Sequence, residues 1–251
     1  MTFDFNLEQM SRQLTGRDVH IWPVRIQGSA ALAARLLPVL SADERERVAR
    51  FQFEHLRRSF TLTRGALRII LGHYLDVPPG GIPFEYGPKG KPNLAAPTRV
   101  AFNVSHSGEL ALFAFTLDCE LGVDVEQIRP MADMRRIAGQ FFCEEESAEL
   151  MTLPADLRER AFFLCWTRKE AYIKAIGDGL SAPLDSFRVT LRPDDPPRFI
   201  HLERDTDAAA QWTLHDLNLS RDYATALAYR DSPRPLLPQP LVDAAELLDL
   251  V

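Results

Sequence analysis

Apolar and polar residues alternate along several short stretches of the chain, as they do in strands with one buried face. The longest such stretch, 98–117, alternates on both sides of Ser105–Gly108 and so predicts two strands joined by a tight turn. The same period of two predicts further strands at 18–26, 121–128, 187–191 and 222–230. Pro23 interrupts the first of these, which favours an edge strand or a bulge at that point.

Helical periodicity covers two long regions, 43–75 and 156–176. The sequence S-A-D-E at 41–44 has the spacing of a capping box at the start of the first region. Because that region is long for one helix, we expect a break near residues 51–54. Gly177 follows the second region and supplies a C-terminal stop.

The order of these elements is strand, helix and hairpin, followed by strand, helices and strands. This order predicts an α+β fold with two lobes of similar size. We place the boundary after residue 118, so that residues 1–118 form an N-terminal lobe and residues 119–251 a C-terminal lobe. The second lobe ends in a proline-rich tail from Asp231, which we expect to form an extended strap.

The chain carries 35 acidic against 29 basic residues, for a formal net charge of −6 at pH 7. This balance argues against a nucleic-acid-binding protein but leaves an anionic small ligand open, because a local basic patch can lie on an acidic protein. No apolar stretch approaches the ~18 residues of a membrane span, and the N-terminus lacks a secretory signal. Three widely spaced cysteines, Cys119, Cys143 and Cys165, indicate reduced, buried thiols in a cytoplasmic protein.

The strand predicted at 121–128 carries two carboxylates on one face. Asp124 and Glu126 are two residues apart, so their side chains leave the strand on the same side, roughly 7 Å apart. Neighbouring carboxylates repel each other unless a cation bridges them, which suits a hard divalent ion. The alternative is an ordinary solvated face of a strand.

The second helical region carries a column of Trp166, Glu170 and Lys174, spaced by four and lying below Phe162. An aromatic, an acid and a base in one stripe are unusual for a plain surface helix. The alternative is an ordinary stabilising pair of Glu and Lys beside core aromatic residues.

The turn at 105–108 brings hydroxyl, imidazole and backbone N–H groups to one tip, which suits an anion or phosphate. One alternative is a tight turn that merely uses polar residues. Another is a serine hydrolase in which Ser105 or Ser107 is the nucleophile and His106 the base. Against the hydrolase, Ser105 and His106 are adjacent and point to opposite sides, and the sequence contains no G-x-S-x-G elbow.

A basic segment covers residues 43–68, where seven arginines stand against four acidic residues for a local charge of +3. Arg57, Arg64 and Arg68 share roughly one helical face, which suits phosphate oxygens. The alternative is a solvated helix.

Four segments together are similar to the motifs of the 4′-phosphopantetheinyl transferase superfamily, of the type that activates surfactin synthetase. They are KGKPNL (89–94), FNVSHSGELALFAF (102–115), GVDVE (122–126) and FFLCWTRKEAYIKAIGDGL (162–180). The last two, about 40 residues apart, are highly specific as a pair. The resemblance spans roughly residues 18–230.

The resemblance implies two similar α+β lobes related by a pseudo-twofold axis, each a small, mainly antiparallel sheet packed with helices. It implies transfer of the 4′-phosphopantetheine arm of coenzyme A to a serine of an acyl or peptidyl carrier protein, with release of adenosine 3′,5′-bisphosphate. Mg²⁺, or Mn²⁺ in its place, is the implied metal, and coenzyme A and apo carrier proteins of fatty-acid, polyketide or nonribosomal peptide synthesis are the implied partners. We expect a cytoplasmic monomer that binds neither nucleic acid nor membrane. The alternative is a non-catalytic protein that binds coenzyme A or a carrier.

The resemblance also implies a role for individual residues. Metal ligation falls to Asp124, Glu126 and Glu170, and catalysis to Glu170, Glu126 and Lys174. Glu170 is our choice for the base that takes the serine proton, with Glu126 as the other candidate. Binding of the coenzyme falls to Arg47, Lys89, Gly90, Lys91, Pro92, Ser105, His106, Asp124, Glu170 and Lys174. Within this set, Lys174 and the Ser105–His106 turn serve the phosphates, and Arg47 with the loop serves the nucleotide end.

Overall fold

A computed structural model describes residues 14–95, 97–177, 179, 182–202 and 206–251 of the chain. The N-terminus, in which we expect no secretory signal, lies outside the described residues up to residue 13, as do Asp178 and Leu180 of the last motif. Within the part of the chain that is described, no helix combines the length and the apolar character needed to cross a membrane.

Helices and strands alternate along the chain. The helices are α1 (Ala30–Leu36), α2 (Ala42–Arg50), α3 (Glu54–Leu75), α4 (Met134–Phe141), α5 (Glu144–Thr152), α6 (Ala155–Ile176) and α7 (Thr206–Ala209). The strands are β1 (Val19–Arg25), β2 (Phe84–Tyr86), β3 (Pro92–Leu94), β4 (Val100–Ser107), β5 (Leu110–Leu117), β6 (Leu121–Gln127), β7 (Arg188–Val189), β8 (Phe199–His201), β9 (Thr213–Asp216), β10 (Tyr223–Tyr229), β11 (Leu236–Pro238) and β12 (Val242–Asp243).

The first sheet has the order β11-β1-β5-β4, and β12 also pairs with β1. Strands β4 and β5 form the predicted hairpin, which turns at Gly108 with a positive φ of 57°. Helix α3 covers the apolar face of this sheet, where the fully buried side chains include Trp22, Phe113 and Phe115. Helix α2 ends at Arg50 and α3 begins at Glu54, so the break predicted in the first helical region is confirmed.

Of the two alternatives for the strand with Pro23, an edge position or a bulge, the edge position is wrong, because β1 is paired on both sides. It runs antiparallel to β5 and parallel to the two strands of the tail. Strand β11 pairs with residues 19–21 and β12 with residues 24 and 25. Pro23 therefore falls in the gap between the two tail strands, where its missing N–H costs no ladder hydrogen bond on that side.

The second sheet has the order β6-β10-β9 and is antiparallel. Helix α6 packs across it and buries an apolar side that includes Phe162, Cys165 and Ile173. A further apolar cluster joins β6 to the first sheet through residues such as Leu112 and Val123. Small antiparallel sheets packed with helices are the predicted α+β architecture, which is confirmed. The pseudo-twofold axis and the boundary after residue 118 stay predictions.

The proline-rich tail crosses from the second half of the chain to the first. Its strands extend the first sheet, and Val242, Ala244 and Leu247 join the core beneath α3. Its extended form agrees with the predicted strap, and both of its strands lie against β1 of the first half of the chain. Pairing with β1 buries apolar tail residues that the second sheet does not cover.

Candidate functional site

The candidate site lies where β6 meets the last turns of α6. Gly122, Asp124 and Glu126 alternate along one face of β6, the side turned towards the helix. A Cβ on Gly122 would lie 2.9 Å from the carbonyl carbon of Lys174 and closer still to backbone atoms of Ala171 and Ala175. Only glycine lets helix and strand approach so closely, and this approach brings the end of α6 beside Asp124.

Asp124 is held by two side chains, one from β4 and one from α6. Its Oδ1 accepts hydrogen bonds from Ser105 Oγ of β4 at 2.7 Å and from Lys174 Nζ of α6 at 2.6 Å. Ser105 Oγ in turn accepts from Lys174 Nζ at 2.8 Å and from the N–H of Val125 at 3.3 Å. The Asp124 carboxylate is 3% exposed, so its charge is balanced locally by the Lys174 ammonium.

Glu126 is held by Ser107, which lies two residues after Ser105 on the same face of β4. Ser107 Oγ donates to Glu126 Oε2 at 2.7 Å and accepts from the N–H of Gln127 at 3.2 Å. Asn103 Oδ1 accepts from the N–H of Val123 at 3.0 Å. Side chains at 103, 105 and 107 therefore hydrogen-bond alternate N–H groups of β6 and align the two strands.

Two buried carboxylate oxygens at this site, Asp124 Oδ2 and Glu170 Oε1, have no hydrogen-bond partner among the described residues. Burial, followed by the charges of Asp124 and Glu126, raises the pKa of Glu170 to about 7 although the nearby Lys174 lowers it. Burial likewise raises the pKa of Glu126. Unpaired carboxylate oxygens that repel one another fit a hard cation, so the donor set matches the expected metal ligands.

In the described part of the chain, no three His, Cys, Asp or Glu side chains already form a metal-binding group. Asp124 Oδ1 is paired with the Lys174 ammonium, which supplies positive charge beside this carboxylate.

His106 lies on the face of β4 opposite Ser105 and Ser107. Desolvation and the positive charge of Lys174 lower the pKa of its imidazole, which favours the neutral form at pH 7. Within the described residues, the hydroxyls of Ser105 and Ser107 donate to carboxylates and neither is bonded to His106. This arrangement does not activate a serine nucleophile.

The loop between β2 and β3 contains three of the predicted coenzyme residues before Pro92. Lys89 and Gly90 are exposed, and Gly90 has a positive φ of 82° that glycine adopts without strain. Lys91 is half-buried, and its Nζ donates to the backbone of α6 instead of facing solvent. A cavity of about 900 Å³ lies beside this loop and the end of α6.

The basic segment differs from the expected open phosphate face. Arg68 is 1% exposed and donates to Glu44 Oε2 at 2.5 Å, and it also binds backbone carbonyls after α3. Arg64 is also buried and pairs with the same carboxylate at 3.4 Å. Arg57 donates to the carbonyl of Phe51. The prediction of a shared phosphate face is therefore wrong, because Arg64 and Arg68 are buried against Glu44 and Arg57 is bonded to the backbone.

Arg47, in contrast, is exposed, and its guanidinium lies 5.0 Å from the ring centre of Phe60.

A smaller, apolar cavity of about 370 Å³ opens beside Glu126. Its aromatic walls include Phe141, Phe162 and Trp166. The aromatic residues of the helical column thus both pack in the core and line a cavity next to the carboxylates.

The sequence patterns did not single out Asn103 or Gly122 as site residues, and they offered Ser107 only as an alternative nucleophile. The signal for Asn103 and Ser107 is the polar period N-x-S-x-S along a strand, which places all three side chains on one face. The signal for Gly122 is its position two residues before Asp124, on the same face of the strand as both carboxylates. The structure brings together Asp124, Glu126, Glu170, Lys174 and Ser105 as predicted, whereas Lys91 is engaged elsewhere.

Two family profiles match the chain. The profile of the 4′-phosphopantetheinyl transferase superfamily matches residues 120–228, and that of the N-terminal region of 4′-phosphopantetheinyl transferase matches residues 28–117. The 4′-phosphopantetheinyl transferase HetI of Nostoc sp. (strain PCC 7120) is 39% identical over 207 residues, covering 81% of this chain and 84% of HetI. The 4′-phosphopantetheinyl transferase Sfp of Bacillus subtilis (strain 168) is 31% identical over 160 residues, covering 64% of this chain and 70% of Sfp.

Among solved structures, holo-[acyl-carrier-protein] synthase of Thermotoga maritima superposes on 45% of this chain and 64% of its own, with a TM-score of 0.36 and 20% sequence identity.

Proposed function

Because the chain belongs to the 4′-phosphopantetheinyl transferase superfamily and is an enzyme of this class, we propose a specific reaction for it. It transfers the 4′-phosphopantetheine arm of coenzyme A to a serine of an apo acyl or peptidyl carrier protein and releases adenosine 3′,5′-bisphosphate. The observation that carries the proposal is the buried carboxylate cluster, with two unpaired oxygens, against the Lys174 ammonium.

Asp124, Glu126 and Glu170 would hold Mg²⁺, or Mn²⁺ in its place. Their oxygens are the hard donors that such ions prefer, and a cation would offset the mutual repulsion that, together with burial, raises the pKa of Glu170. When bound, the ion supplies positive charge for the pyrophosphate oxygens during displacement at phosphorus.

The chain's own groups position the two reactants. Lys174 is proposed to donate hydrogen bonds to the pyrophosphate, and His106, next to Ser105 near the end of β4, to a phosphate of the same coenzyme. The serine oxygen of the carrier forms a bond to the phosphorus that bears the pantetheine, and the bond from this phosphorus to the bridging oxygen breaks. The electron pair of that bond leaves with adenosine 3′,5′-bisphosphate.

Glu170 is the proposed base for the serine proton. Its Oε1 is buried and has no hydrogen-bond donor among the described residues, so no protein group competes with the serine hydroxyl for this oxygen. Glu126, whose pKa is also raised, is the second candidate. Ser107 holds Glu126 through a hydrogen bond, which leaves Glu170 as the less constrained of the two.

The nucleotide end of coenzyme A is proposed to lie along Arg47 and the loop that carries Lys89, Gly90 and Pro92. Arg47 and Lys89 are exposed cations suited to phosphate.

The carrier is proposed to approach over the apolar cavity beside Glu126, where Arg129 and Arg136 also line the wall and suit an acidic surface. We propose that the enzyme acts as a cytoplasmic monomer, in fatty-acid, polyketide or nonribosomal peptide synthesis.

The test is incubation of the protein with coenzyme A, Mg²⁺ and a panel of apo carrier proteins, followed by mass spectrometry. The expected result is a mass gain of one phosphopantetheine on the carrier, lost without divalent cation. Asp124→Ala should abolish transfer while the circular dichroism spectrum stays that of the wild type. Coenzyme binding without any mass gain across the panel would instead support the non-catalytic alternative.

A further inference from the structure

The ammonium of Lys91 lies at the C-terminal end of α6. Its Nζ donates to the carbonyl oxygen of Lys174 at 2.6 Å and to that of Ala175 at 3.0 Å. These carbonyls belong to the last turn, whose acceptors have no N–H partner further along the helix. A cation at this end also interacts favourably with the negative end of the helix dipole.

The loop that carries Lys91 packs directly on the turn that follows α6. A Cβ on Gly177 would lie 3.8 Å from Lys91 Cδ, and one on Gly179 would lie 3.3 Å from Lys89 Cβ. On the other side, Gly122 of β6 packs against the same last turn. The end of α6 is therefore held between a strand of the second sheet and a loop from the first half of the chain.

One of the two carbonyl groups that Lys91 binds is that of Lys174. The side chain of Lys174 bonds Asp124 and Ser105, so a displacement of its backbone moves the ammonium away from both. Loss of the Lys91 contact would leave two carbonyls at a helix end without their present donor. The last turn would then open, and Lys174 lies in that turn.

We propose that Lys91 is a positioning residue that fixes the last turn of α6 and, through it, the Lys174 ammonium for transfer. This inference rests on the proposed function and replaces the expected coenzyme contact of Lys91. The two roles differ in kinetics: a residue that positions Lys174 acts mainly on kcat, whereas a coenzyme contact made equally throughout the reaction acts on KM.

The test compares three variants on the same loop. Lys91→Met keeps a long unbranched stem and removes the donor, Lys91→Arg keeps a charged donor, and Lys89→Met removes the same charge from the exposed neighbour. Lys91→Met should lower kcat about tenfold or more with the KM for coenzyme A within about threefold, and Lys91→Arg should recover most of the loss. Lys89→Met should show the opposite pattern, a raised KM with kcat nearly unchanged.

Hydrogen exchange of the free protein supplies a readout without turnover. The amides of residues 174–177 should exchange faster in Lys91→Met than in the wild type or Lys89→Met, with the rest of α6 unchanged. Unaltered exchange there, or a Lys91→Met enzyme with raised KM and normal kcat, would overturn the proposal. If the wild-type protein modifies no carrier, the proposed function fails, and the exchange experiment still decides whether Lys91 holds the helix.

Discussion

Gly122→Ala tests the claim that the site depends on close approach between β6 and α6. The added Cβ would lie 2.9 Å from the Lys174 carbonyl carbon and closer to backbone atoms of Ala171 and Ala175, whereas ordinary contact begins at 3.4 Å. All of these are backbone atoms of α6, so no flexible side chain can turn aside to make room. The atoms of Ala171 and Ala175 lie more than about 1 Å inside ordinary contact, so the helix must move by about 1 Å or more relative to the strand.

The cost follows from the nature of this clash. Overpacking of a well-packed interior costs about 1–3 kcal/mol, and backbone contacts place Gly122→Ala at the upper end. Loss of glycine's freedom in the unfolded chain offsets about 0.4–1 kcal/mol of this. A net loss of about 2 kcal/mol lowers the Tm by roughly 4–8 °C for a chain of this size. Because the moved turn carries Lys174, kcat should also fall, by about tenfold or more.

Thermal melting followed by circular dichroism and the carrier mass assay measure the two effects. Gly139→Ala is the matched control, since Gly139 is exposed in α4 and its added Cβ would meet nothing within 4 Å. Alanine in a helix interior should stabilise the protein by about 0.5–1 kcal/mol and leave transfer unchanged. A Gly122→Ala enzyme with the Tm and kcat of the wild type would refute the close-approach argument.

Three further substitutions separate structural from functional polar residues. Lys169→Met, which removes the fully buried partner of Glu146, should lower the free energy of unfolding by about 3–5 kcal/mol in urea melts, and an unchanged midpoint would contradict this role. Ser107→Ala should lower kcat about tenfold at nearly constant coenzyme KM, because Glu126 loses its donor; a pure KM effect would place Ser107 on the coenzyme instead. His106→Ala should raise the coenzyme KM about fivefold, the value of one neutral hydrogen bond, and unchanged kinetics would remove His106 from the site.

Sequence patterns identified the elements and the carboxylates because both depend on short spacings. Residues two apart on a strand or four apart on a helix share a face whatever the rest of the fold does, so Asp124 and Glu126, or Glu170 and Lys174, could be paired from sequence. The capping role of Glu44 was predictable for the same reason. Its burial was not, because that depends on Arg68, which lies 24 positions further on in the next helix.

The same distinction explains the two errors of interpretation. The edge assignment for the strand with Pro23 failed because the tail strands that pair with it lie more than 200 residues away in sequence. The shared phosphate face of three arginines failed because helical periodicity places side chains on a common face but does not say whether that face meets solvent or a buried carboxylate. In each case the missing information was a partner distant in sequence.

The candidate site itself is assembled almost entirely from such distant partners. Ser105 and Asp124 are 19 positions apart, Lys174 and Asp124 are 50 apart, and Lys91 reaches a carbonyl 83 positions away. None of these contacts forms within a single element, so Glu126 and Glu170 acquire their raised pKa values, and Asp124 its ammonium partner, only when β4, β6 and α6 have docked. Substitutions at the contacts between these elements, such as Gly122→Ala or Lys91→Met, should therefore reduce turnover more than substitutions of equal energetic cost within the core of either sheet.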